Sequence, residues 1–243
     1  MNKKTKRMII KFLMIIFIIG IIYSTINIFV WYKENKENNL IKEELKEDIK
    51  ITDDKSKPNY NIDFVSLKEK NKDTVAYLKV NNTKIDYVVV KGKDNAYYLK
   101  HNFKKEYNRS GWIFMDYHNK FDGTDKNIVI YGHNTRDGSM FGTLRKVITK
   151  EWYTNLDNQY ITLVSEDGEK KYQVFSTYSI KVEDYYINTK FKDNNEFDKF
   201  VNTLKNRSVY NYHVNVSGSD SILTLSTCTG SGTKRMVLHA KLT

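Results

Sequence analysis

The chain has 243 residues, 40% of them apolar and 14% aromatic, enough for a packed core and too hydrophobic for disorder along most of its length. A single proline and 11 glycines exclude collagen-like and proline-rich linker architectures. The net charge is +11, with no long basic block and no RNA-binding aromatic signature.

The N-terminus opens with Lys3, Lys4, Lys6, Arg7 and Lys11, followed by the apolar run FLMIIFIIGIIYSTINIFVW from Phe12 to Trp31. A helix of about 20 such residues crosses about 30 Å of hydrocarbon. Trp31 and Tyr32 sit at its far end, where amphipathic aromatics favour the headgroup level. A cleaved signal peptide is the alternative. It needs a shorter apolar region and a small-residue cleavage site, to which Ser24 and Thr25 are a poor match. The expectation is an uncleaved signal-anchor over 12–32. Positive charge before the span keeps residues 1–11 in the cytoplasm and places the rest outside. Those five cations leave +6 for the rest of the chain. That excess reads either as a solvated surface or as attraction to anionic lipid or envelope polymer. Nucleic acid is not an expected partner of an exported domain.

Residues 33–57 are highly charged, with Leu40, Ile41, Leu45 and Ile49 near helical spacing. They read as a helical stalk or a flexible charged linker, extending to about residue 60. Asp63 is placed to cap a short helix ending near Asn71. The domain from 61 to 243 is then dominated by strands. β-Branched and aromatic enrichment predicts them over 75–80, 85–90, 112–116, 128–131, 160–165, 171–181, 222–227 and 236–242. SEDGEK marks a hairpin between two of them. Two helices are predicted, over 140–149 and over 194–205, the second with Phe197, Phe200, Val201 and Leu204 in an apolar stripe. About eight short strands with few helices predict a mainly β fold, a closed or nearly closed β-barrel.

Cys228 is the only cysteine, so no intramolecular disulfide staples this domain. A buried packing role is the default for a lone thiol; a catalytic role needs a base or cation, an oxyanion stabiliser and access. His133 ends the apolar strand NIVIYGHN and enters a Gly/Asn/Asp-rich loop, a place where scaffolds expose catalytic groups. Arg235 follows Cys228 across TGSGTK, short enough to join two antiparallel strands, and its guanidinium can donate two hydrogen bonds to an oxyanion. Alternation in the strand turns Lys234 to the opposite face. His239 alternates with core residues and reads as structural, while His101, His118 and His213 read as surface residues. No CxxC, HExxH or carboxylate cluster of ligand spacing is present, so no metal and no cofactor is expected.

TLSTC, with Arg235 downstream in RMVLHAKL and IVIYGHN upstream, resembles the signature of sortases, membrane-anchored cysteine transpeptidases of Gram-positive bacteria. NAYYLKHNF, GWIFMDYHN and MFGTLRK are similar to class B members in particular, and the likeness runs from about Asp63 to the C-terminus. The resemblance implies an eight-stranded sortase barrel with flanking helices. Cys228 would be the nucleophile, His133 the general acid/base and Arg235 the oxyanion or positioning group. Asn95, Leu99, Tyr186, Ile187, Ser226 and Thr227 would line the subsite for the sorting peptide. The implied reaction cleaves a C-terminal sorting motif of secreted proteins after Thr. It then passes the acyl group to an amine of a peptidoglycan precursor or a pilin-like protein. One departure stands out: many class B members carry an acidic residue shortly after the cysteine, and Thr229 to Lys234 contains none. A cysteine protease, with water as acceptor, and a non-enzymatic basic module binding an anionic envelope polymer are the competing readings.

Overall fold

The computed structural model describes residues 2–52, 59–228 and 233–243. Part of the charged segment (53–58) and the TGSG loop at 229–232 lie outside the described residues. The chain forms two compact units, one ending at Leu40 and one running from Ile41 to Thr243. Helix α1 (Lys3–Leu45) makes up the first unit and continues a few residues into the second. It is long and apolar enough to cross a membrane, and side chains such as Phe12, Phe17, Ile22 and Phe29 are exposed along it. A bare apolar surface of this size is suited to lipid rather than water.

Within the second unit, Ile41 and Leu45 are buried. They are followed by an antiparallel pair, β1 (Ile49–Thr52) and β2 (Asn59–Ile62). The unit therefore takes in residues that composition assigns to a stalk or linker. The reason is a period-two pattern hidden among charges: Ile49, Ile51, Tyr60 and Ile62 pack against the core. Asp63 caps α2 (Phe64–Lys70) as expected, its carboxylate accepting from the Ser66 N–H at 2.9 Å.

Eight strands close a barrel: β3 (Thr74–Val80), β4 (Asp86–Val90), β5 (Phe114–Met115), β6 (Asn127–His133), β7 (Tyr160–Ser165), β8 (Gly168–Lys181), β9 (Ile222–Cys228) and β10 (Lys234–Leu242). Their order is β10-β8-β7-β3-β4-β5-β6-β9, and β9 pairs back to β10. Most neighbours are antiparallel; β4–β5 and β6–β9 are parallel. The strand predicted over 112–116 pairs only at Phe114–Met115, because the chain enters it from a turn at Gly111. There φ is +56°, and a Cβ would meet the Tyr98 carbonyl oxygen at 2.3 Å. The helix predicted over 140–149 is instead a 3₁₀ segment over Gly142–Ile148 followed by α3 (Lys150–Thr154). Thr149 separates the two by capping Trp152. Helix α4 (Asn194–Arg207) buries the predicted stripe of Phe197, Phe200, Val201 and Leu204 against the barrel.

His239 is fully buried, as the strand pattern implied. Burial, with a smaller push from Arg207, lowers its pKa to about 3. An unfolded chain carries an ordinary histidine near pH 6.5, so below that pH the unfolded state binds a proton the native state refuses. The stability tied to His239 is thus complete above about pH 6.5. It falls by about 1.4 kcal/mol per pH unit as pH drops towards 3. Denaturant midpoints measured from pH 7 to 4 should decline more steeply for the native chain than for His239→Gln. Equal slopes would remove His239 from acid unfolding.

Candidate active site

Seven register pairs join β6 to β9, from Asn127 opposite Ile222 to His133 opposite Cys228. Because the strands are parallel, their C-terminal ends finish side by side, at the usual interstrand spacing of about 4.8 Å. Antiparallel pairing in the same barrel would have put the histidine and the cysteine at opposite rims. The glycine of YGH is a packing requirement: a Cβ on Gly132 would meet Ile113 Cδ1 at 2.5 Å and Phe141 Cγ at 2.7 Å.

The third group arrives on β10. Its register with β9 runs as far as Val237 opposite Ser226, so Arg235 lies two residues before that pair on β10 and Cys228 two residues beyond it on β9. Thr227 fixes that approach, its hydroxyl oxygen accepting from the Met236 N–H at 2.9 Å. Arg235 is half-buried and Lys234 exposed, in keeping with strand alternation.

His133 is oriented by backbone. Its Nε2 lies 2.8 Å from the carbonyl oxygen of Leu99. A carbonyl can only accept, so Nε2 carries the proton of the neutral ring and Nδ1 is the atom that titrates. Among the described residues its partner is therefore a peptide group, not a carboxylate. Burial lowers the His133 pKa below 6.5; the Leu99 bond opposes this and the positive charge of Arg235 adds to it. The C2–H resonance of His133 should titrate below pH 6.5 and move upward in Arg235→Gln. A midpoint that ignores the substitution would separate the two side chains.

Leu99 belongs to the segment that also carries Asn95, and both side chains are half-buried. The Asn95 amide is locked: Oδ1 accepts from the Tyr117 N–H at 3.0 Å and Nδ2 donates to Asp116 at 2.7 Å. Asp116, which the sequence reading passed over, is buried at the end of β5. It also accepts from the Tyr131 hydroxyl at 2.7 Å and from the His118 N–H at 2.8 Å. The signal for it was present in MDYHN, an aspartate before a polar turn, but nothing there announces burial.

Between β8 and α4, Tyr186 is buried, its hydroxyl 2.9 Å from that of Ser226. Ile187 beside it is half-buried. The expected subsite residues thus fall into two segments. Asn95 and Leu99 adjoin His133 through the Leu99 carbonyl. Tyr186 and Ile187 adjoin the end of β9 through Ser226, while Ser226 and Thr227 form wall. Together these elements set a titrating imidazole and a guanidinium around the strand end that holds the thiol.

Comparisons with known proteins agree with this geometry. The sortase domain family matches residues 78–243. The chain is 40% identical over 218 residues to sortase B of Listeria monocytogenes, covering 86% of each. A Staphylococcus aureus sortase B–substrate complex superposes with a TM-score of 0.70 at 37% identity, over 74% of this chain and 84% of that one. A sortase B complexed with triglycine gives the same score and identity, over 74% and 85%. A family match across most of the chain, near relatives of one kind and a shared barrel converge: the protein belongs to the sortase family, among the sortase B transpeptidases.

Proposed function

We propose that this sortase cleaves a C-terminal sorting motif of secreted proteins after Thr, through a thioester on Cys228. The observation that carries the reading is the parallel register that ends β6 at His133 beside β9 at Cys228. The Cys228 thiolate adds to the threonine carbonyl, and Arg235 with backbone N–H groups stabilises the oxyanion. Collapse of that intermediate breaks the C–N bond, and the departing amine takes the proton on Nδ1 of His133. An incoming amine gives a proton back to His133, adds to the thioester and expels the thiolate, forming a new amide. No cofactor enters this scheme.

The acceptor is an amine of a peptidoglycan precursor or of a pilin-like protein. Sortase B structures holding a substrate and triglycine support a peptide donor and an amine acceptor of this kind. Helix α1 serves as a single-pass anchor over 12–32, with residues 1–11 in the cytoplasm and the catalytic domain outside.

The test offers the full chain in detergent a panel of NPxTx-type peptides, with and without triglycine. The expected product by mass spectrometry is an amide joining the threonine to triglycine, formed only when the amine is present. Hydrolysis alone at every amine concentration would make the enzyme a protease. No product from any peptide would overturn the reading.

A further inference from the structure

The segment bearing Tyr186 and Ile187 is fastened at both ends, by an ion pair at Glu183 and by a hydrogen-bond circuit through the barrel wall that ends at Asn188. Arg207 on α4 pairs with the carboxylate of Glu183, and its guanidinium lies 6.0 Å from the centroid of the Tyr178 ring. The Tyr178 hydroxyl lies 2.9 Å from His239 Nε2, and His239 Nδ1 lies 2.8 Å from the Thr224 hydroxyl. Thr224 donates to Asn127 Oδ1 at 2.7 Å, and Asn127 Nδ2 donates to the Asn188 carbonyl at 2.9 Å. The ion pair holds the segment at Glu183, and the hydrogen-bond circuit holds it at Asn188.

Donor accounting gives the circuit one direction. The Asn188 carbonyl only accepts, which fixes the Asn127 amide with its oxygen towards Thr224. The single hydroxyl proton of Thr224 is committed to that oxygen, so Thr224 must accept from His239. His239 is therefore the Nδ1–H tautomer, and its bare Nε2 accepts from Tyr178. Tyr178, His239, Thr224 and Asn127 are all buried, so each link removed orphans a partner in a dry site. Tyr186, between the two fastenings, packs edge-on against the rings of Tyr178 and His239.

We infer that this circuit, with the ion pair at Glu183, clamps residues 183–188 in the shape that receives the sorting peptide, with Asn127, Thr224 and His239 as positioning residues. The inference rests on the proposed contact of Tyr186 and Ile187 with that peptide. None of the three positioning residues needs to touch substrate.

The test compares Thr224→Val, Thr224→Ser and Asn127→Leu in the full chain in detergent. Hydrogen exchange across 183–189 is read by mass spectrometry, beside KM and kcat for the best peptide. Valine keeps the shape of threonine and loses both links, whereas serine retains both. We expect exchange in this segment and KM each to rise about tenfold in Thr224→Val, the equivalent of one buried hydrogen bond. Changes in kcat should stay within about threefold, and Thr224→Ser should lie within about twofold of the native chain. Asn127→Leu breaks the last link by another route and should reproduce the loosening. Unchanged exchange at 183–189 in both Thr224→Val and Asn127→Leu overturns the clamp, whatever their melting temperatures. A loosened segment with unchanged KM overturns its role towards peptide. The exchange readout requires no turnover. A native chain that processes no peptide would therefore sink the proposed reaction while leaving the clamp decided.

Discussion

Replacing His133 with alanine should lower kcat for a sorting peptide by at least about 10³-fold, and Cys228→Ala should abolish it. A positioned acid–base group is worth about 10² to 10⁴ in rate, and here it would serve twice, protonating the leaving amine and deprotonating the acceptor. Removing the nucleophile leaves no covalent route at all. The two losses should differ in kind. Cys228→Ala should still bind peptide and form no adduct, while His133→Ala should acylate far more slowly. His133→Ala also leaves the Leu99 carbonyl without its partner, so the Asn95–Leu99 segment loses a tether. Stopped-flow acylation separates this from a general loss of fold, since melting temperature should change little at a half-buried position. His133→Ala retaining more than a tenth of native kcat would exclude the imidazole from proton transfer.

Arg235→Lys is the second large effect. The substitution keeps one positive charge and replaces a planar fork with a mobile ammonium. Loss of a good oxyanion donor costs about 10² to 10³ in kcat, roughly 3–4 kcal/mol. A fall of that size in kcat with KM within a few-fold is expected, and Arg235→Gln should be at least as impaired. Lys234, exposed on the other face, provides the internal control: Lys234→Gln should be nearly silent. Near-native turnover in Arg235→Lys would leave the guanidinium with a purely electrostatic influence on His133.

The strands of the barrel were largely legible, because alternation and β-branched runs follow directly from a wall with one buried face. The β1–β2 hairpin was not, since Lys50, Asn59 and Asn61 mask the apolar partners that alternate with them. Charge density there reads as linker until a core is available to receive Ile49 and Ile62. At the site, TLSTC, YGH and Arg235 could be read as a set, and the barrel topology explains the set. Two parallel strands end together and an antiparallel one starts beside them. The orientation of His133 was illegible, because a backbone carbonyl has no letter of its own and any residue at 99 would supply it. The loop after Cys228, Thr229 to Lys234, carries no carboxylate. The buried carboxylate near the site is instead Asp116, from a different segment, and it fixes Asn95 and Tyr131 rather than His133. The circuit through Asn127, Thr224 and His239 was hidden for a related reason. Single polar residues on apolar strands look like isolated exceptions until the register brings them into line.

The decisive intermediate of the proposed reaction is a thioester between Cys228 and the carbonyl carbon of the sorting threonine. Its most direct test mixes the full chain with an NPxTx-type peptide in the absence of amine, quenches in acid within the first turnover, and measures the intact mass. The expected mass gain equals the peptide up to and including the threonine. The adduct should map to Cys228, be discharged by hydroxylamine or triglycine, and be absent in Cys228→Ala. Native turnover with no such adduct at any quench time, or an adduct that survives Cys228→Ala, would contradict a thioester on Cys228.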